Sequence, residues 1–118
     1  MLKNQPFLYS LKVALFGLVS AFKEERNFRT QVFIAVIVVI FMVQLDLAAI
    51  EISVLILTMM VVLSLELVNS QIEKFLDILH PSHHPRVKII KDFSAGAVLL
   101  SALGSIVIGV LIFFPHVF

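Results

Sequence analysis

Three stretches of this chain are long, apolar and almost free of charge: Thr30–Leu45, Ile52–Leu65 and Phe93–Phe118. Runs of this kind read as helices that cross a hydrocarbon layer, because only a helix or a closed barrel satisfies its own backbone polar groups there. Composition agrees: 60% of the 118 residues are hydrophobic, 14% are charged, and mean hydropathy is +1.07. A soluble domain carries roughly 45–50% apolar and about 25% charged residues. A small soluble domain, a disordered chain and a nucleic-acid-binding module are therefore excluded. The expected fold is an all-α integral membrane domain spanning residues 1–118, with no room for a separate soluble domain. The absence of Cys removes disulfides, thiolate catalysis and Cys-ligated metals.

Net charge is only +1, but its distribution is informative. Lys3, Lys12, Lys23, Arg26 and Arg29 precede the first span, and Lys74, Arg86, Lys88 and Lys91 lie at the end of the second or before the third. The connection near Gln44–Glu51 and the C-terminal tail carry no Lys or Arg. The positive-inside rule then puts the N-terminus and the second loop in the cytoplasm and the C-terminus outside. Six of the eight acids, Glu24, Glu25, Glu66, Glu73, Asp77 and Asp92, gather with the basic residues, and only Asp46 and Glu51 lie on the outer side. Chemistry is expected at the cytoplasmic face. The N-terminus does not read as a cleavable signal, since Lys12 interrupts its apolar run.

Residues 7–23 form the first expected element. At 100° per residue, Phe7, Leu8, Leu11, Leu15, Leu18 and Phe22 share an arc of about 100°, with Lys12, Ser20 and Lys23 outside it. This pattern predicts an amphipathic helix on the membrane surface. A charged break at Glu24–Asn27 leads into a first span over 28–45, closed by Asp46. The second helix is expected over 48–79, and at 1.5 Å per residue it measures roughly 45–50 Å, so its last third projects beyond a hydrocarbon core of about 30 Å. HPSHHPR (80–86) reads as a loop broken by two prolines, and the third span over 87–114 is expected to stop at Pro115. Ala97, Ser101 and Ser105 recur every four residues and permit close helix packing.

The second helix carries the chemical pattern. In ELVNSQIEKFLD, residues Glu66, Asn69, Glu73 and Asp77 are spaced 3, 4 and 4 apart and fall within about 80° of one face. Glu66 follows fourteen uncharged residues, and an ionisable group at such depth implies a partner, a pathway or a site. Aligned carboxylates repel one another, which a cation relieves. Carboxylates with an amide suit a hard ion such as Mg²⁺, which usually keeps waters and shares substrate phosphates. Glu24, Glu25 and Arg29 at the first turn, and Lys91 and Asp92 at the start of the third span, are expected on the same side; Lys91 and Arg29 suit phosphate oxygens. No phosphate-binding glycine loop or dinucleotide fingerprint is present. A loop metal site at His80, His83 and His84 is disfavoured, because loop histidines beside prolines are usually solvated.

The strings KEERNFR (23–29), ELVNSQIE (66–73) and KDFSAGAVLL (91–100) resemble the small prokaryotic diacylglycerol kinase and undecaprenol kinase family over nearly the whole chain. The resemblance implies a homotrimer of three-span subunits in the bacterial inner membrane, with active sites at the cytoplasmic surface. It also implies transfer of the γ-phosphate of MgATP to the hydroxyl of a membrane lipid alcohol. By the same resemblance Glu66 is the catalytic base and Asn69 helps orient the site, while Glu25 and Glu73 hold Mg²⁺. Asp77, His84, Lys91 and Asp92 fall in the nucleotide-binding region, and Phe28 and Arg29 fall near the lipid entrance. KEERNFR is more similar to the undecaprenol kinase branch. Ala14, Phe16 and Gln31 depart from polar or acidic residues of another branch. Two rival classes remain open, a non-catalytic membrane scaffold and a small cation transporter. Against transport, Ser105 is the sole polar residue in the stretches Phe33–Phe41 and Ala102–Phe113.

Overall fold

The computed structural model describes residues 6–118; Lys3, counted above in the charge asymmetry, lies outside them. Four helices follow in chain order: α1 (Phe7–Glu24), α2 (Arg26–Gln44), α3 (Ala49–Leu79) and α4 (Pro85–Val117). The last three are long and apolar enough to cross a membrane, so the chain is an all-α, multi-pass membrane protein. α3 packs along α4 most extensively and along α2 to a lesser degree, while α1 folds back against α2. At 31 and 33 residues, α3 and α4 measure roughly 46–50 Å and overrun the bilayer core.

Few apolar side chains are buried within the subunit. Met42, Leu47 and Leu55 form a cluster at the α2–α3 turn, packed by Val38, Ile52, Met59, Ile108 and Ile112. Ile34, Ile37, Leu57, Leu100, Ile106 and Leu111 remain more than half exposed. In water these faces would be a liability; in a bilayer the surrounding acyl chains are as apolar as the side chains.

The turns explain where the helices stop. Only Glu25 is extended between α1 and α2 (φ −104°, ψ 108°), so α2 starts at Arg26 and the expected four-residue break is a single residue. The Arg29 guanidinium makes this possible. Its Nη1 donates to the carbonyls of Phe22 and Lys23, each at 2.9 Å, closing the otherwise orphaned end of α1. At the opposite end of the bundle the Ala48 N–H donates to Glu51 Oε1 (2.9 Å), opening α3. The same Glu51 carboxylate lies 3.2 Å from His116 Nε2, joining the start of α3 to the end of α4.

The break before Pro81 stands, with α3 ending at Leu79, while the expectations at Pro85 and Pro115 are corrected. Pro85 starts α4 rather than breaking the chain: His84 Nδ1 accepts from the Arg86 N–H at 3.1 Å as an N-cap, and proline at the first helical position loses no bond. Pro115 does not end α4, which continues to Val117 and closes with Phe118 N–H to Phe114 O at 2.9 Å. Near a helix end Pro115 forfeits a single bond, to the Leu111 carbonyl, and the last turn closes around it.

Candidate active site

The site is built on α3. Glu66, Asn69 and Ser70 are its buried polar residues, at 5%, 8% and 6% exposure, whereas Glu73 and Asp77 further along are exposed. The expected single face is thus graded from dry to wet. Ser70 donates to the Leu67 carbonyl (2.9 Å), while the Asn69 amide oxygen is buried with no partner in the subunit. An acceptor held dry without a donor is costly.

The α1–α2 elbow brings two more groups to this face. From the elbow Asn27 and the Glu25 carboxylate lie near enough to influence the Glu66 carboxylate, and Glu73 does so along α3. Glu25 also pairs with Lys74: Nζ lies 2.5 Å from Oε1. The structure therefore sets Glu25 and Asn27 of the elbow beside Glu66 and Glu73 of α3, with Lys74 paired to Glu25. Asn27 sits within KEERNFR, but nothing in its spacing distinguishes it from a surface amide. Lys74 reads in sequence only as one more positive charge.

The remaining candidates are occupied with one another. Lys91 ion-pairs with Asp77, tying α4 to α3 one turn beyond Glu73. Asp92 pairs instead with Lys88 at 2.7 Å, one turn back on its own helix. Lys91 and Asp92 thus flank the polar end without bonding each other. His84 caps α4 and its ring lies 5.3 Å from that of His80. Phe28 is buried within the subunit, while Arg29 clasps the elbow through bonds that remain exposed.

An apolar groove of about 480 Å³ runs between α2, α3 and α4. Gln31, Ala35 and Val38 line one wall, Leu55, Met59 and Val62 the floor, and Ser105, Gly109 and Phe113 the other wall. Its hydroxyls turn back onto their own helices: Thr58 Oγ1 donates to Val54 O and Ser105 Oγ to Ala102 O, each at 2.7 Å. The space between is left hydrocarbon-like, which suits an apolar chain and offers no relay to an ion.

The model of the prokaryotic diacylglycerol kinase family matches residues 12–113. The chain is 39% identical over 109 residues to a diacylglycerol kinase of Synechocystis sp., a match covering 92% of this chain and 62% of that protein. It is 38% identical over 99 residues to an undecaprenol kinase of Bacillus subtilis (84% and 80% covered). With a diacylglycerol kinase of Haemophilus influenzae the identity is 35% over 106 residues (89% and 90% covered). The chain therefore spans less than two thirds of the Synechocystis relative but most of the other two. With the family matched across all three membrane helices and the residues of the graded face, the chain belongs to the prokaryotic diacylglycerol kinase family.

Proposed function

We propose that this chain is an ATP-dependent lipid kinase that transfers the γ-phosphate of MgATP to the hydroxyl of a membrane lipid alcohol, undecaprenol in preference to diacylglycerol. The observation that carries this reading is the continuity of one face of α3. Leu55, Met59 and Val62 line the apolar groove, and Glu66, Asn69 and Glu73 continue the same face toward water. A lipid tail in the groove brings its hydroxyl to the level of Glu66. A nucleotide stays at Glu73, two turns further along and about 10 Å nearer the aqueous phase.

Phosphoryl transfer asks for positioning, neutralised phosphate charge and a group to take the hydroxyl proton. In this reading the Glu66 carboxylate takes that proton as the lipid oxygen bonds to the γ-phosphorus and the bond to the ADP leaving oxygen breaks. The Asn27 amide lies beside this carboxylate, and the apolar walls of the groove keep water from competing as acceptor. Glu25 and Glu73 fit Mg²⁺: they are hard oxygen donors from two elements, and the ion is commonly held by one or two carboxylates plus substrate phosphates. The chemistry it supplies is charge neutralisation on the phosphates.

The basic residues favour a cytoplasmic polar end in the bacterial inner membrane. The family resemblance and the unpartnered Asn69 oxygen support a homotrimer in which a neighbouring subunit completes the site. The test is phosphate transfer from radiolabelled MgATP by the purified protein in mixed micelles, with undecaprenol and diacylglycerol offered side by side. Label appearing in undecaprenyl phosphate first supports the proposal. Label in phosphatidic acid alone reverses the acceptor preference, and label in neither lipid refutes the kinase.

A further inference from the structure

The Glu25 carboxylate is already held by a cation of the protein's own. Lys74 Nζ lies 2.5 Å from Glu25 Oε1; the Glu25 side chain is 17% exposed and that of Lys74 is half exposed. The pair joins the α1–α2 elbow to α3, and Lys74 directly follows Glu73 in sequence. Glu24 also acts on this ammonium. Lys74 is thus set among carboxylates that would otherwise repel one another.

A divalent cation arriving at Glu25 contends with that ammonium, because the two cations repel and compete for the same carboxylate. We propose that Lys74 is a tethered counter-ion that surrenders Glu25 to the incoming metal and passes its ammonium to the phosphate oxygens of the nucleotide. This rests on the kinase reading above and deepens its nucleotide site. The side chain is suited to the exchange. A lysine is a point charge on a flexible four-carbon stem with three donors, and its half-exposed stem is free to turn toward the aqueous end. A pair open to solvent on one side is held weakly enough to exchange.

The exchange links metal to nucleotide. Metal arriving alone weakens the Lys74 contact and leaves the ammonium poorly compensated, whereas metal arriving on a polyphosphate brings it a new partner. Such coupling is a difference in affinity and is measured as one. The experiment uses the full chain in detergent micelles, with Mn²⁺ followed by the electron paramagnetic resonance of the free ion in the absence of nucleotide. Binding of a non-hydrolysable ATP analogue with Mg²⁺ is followed by calorimetry. Lys74→Met should bind Mn²⁺ several-fold more tightly than the parent chain and the analogue several-fold more weakly. Lys74→Gln provides the same test should the methionine variant misfold, and Lys74→Arg should stay near the parent on both. Adding Glu25→Gln to Lys74→Met should abolish the gain in Mn²⁺ affinity. Unchanged Mn²⁺ affinity or unchanged analogue affinity in the neutral Lys74 variants overturns the inference. Phosphate transfer by the parent chain is assayed in parallel: its absence refutes the kinase reading itself, whereas its presence beside unchanged affinities refutes the role of Lys74 alone.

Discussion

Replacing Arg29 by methionine tests whether the elbow is held as the structure shows. The substitution keeps much of the stem's length and packing and removes the two bonds from Nη1 to the Phe22 and Lys23 carbonyls, both 2.9 Å long. A hydrogen bond to a charged group contributes about 1.5–3 kcal/mol when shielded. These two are open to solvent, so roughly 1–2 kcal/mol for both together is the reasonable magnitude. That corresponds to an elbow opening about 5–30 times more often. The assay is amide hydrogen exchange by mass spectrometry in lipid nanodiscs. Peptides covering Phe22–Arg29, which include the Glu25 N–H bonded to Ala21 O, should exchange faster by that factor. Peptides within Leu55–Val62 should be unchanged. Equal protection of the elbow in parent and variant would refute the clasp and return the guanidinium to the role of a free group at a lipid entrance.

Two further outcomes follow from the site. Glu73→Gln should raise the Mg²⁺ concentration needed for half-maximal transfer; an unchanged metal titration would remove Glu73 as a ligand. Asn27→Ala, which removes an amide neighbouring Glu66, should lower kcat severalfold with the KM for MgATP preserved. A change in KM alone would place Asn27 on the nucleotide rather than beside Glu66.

The membrane helices were legible because the signal is cumulative: an uncharged run such as Ile52–Leu65 has few other folds open to it. The α3 face was legible for a similar reason, since spacings of 3, 4 and 4 fix Glu66, Asn69, Glu73 and Asp77 on one side whatever the tertiary structure does. What sequence could not supply were pairings made across helices. Lys91 chooses Asp77 rather than its neighbour Asp92, and Lys74 reaches Glu25 across 49 positions, because the packing of α3 against its neighbours decides which charges meet. His116 with Glu51, 65 residues apart, is a third case. Helix ends failed differently. Glu25 breaks the chain for one residue because Arg29 supplies the missing donors, and Pro85 starts a helix because His84 caps it. In each case local propensity was overridden by a side chain whose direction the sequence does not reveal.

The central claim is that Glu66, at the junction of groove and polar face, takes the proton of a lipid hydroxyl. Its most direct test is single-turnover transfer from radiolabelled MgATP by Glu66→Gln, alongside binding of the Mg²⁺–ATP analogue. A general base contributes roughly 10²–10⁴-fold, so the account predicts a loss of at least about a hundredfold in transfer with analogue binding retained. Turnover near that of the parent chain would contradict it.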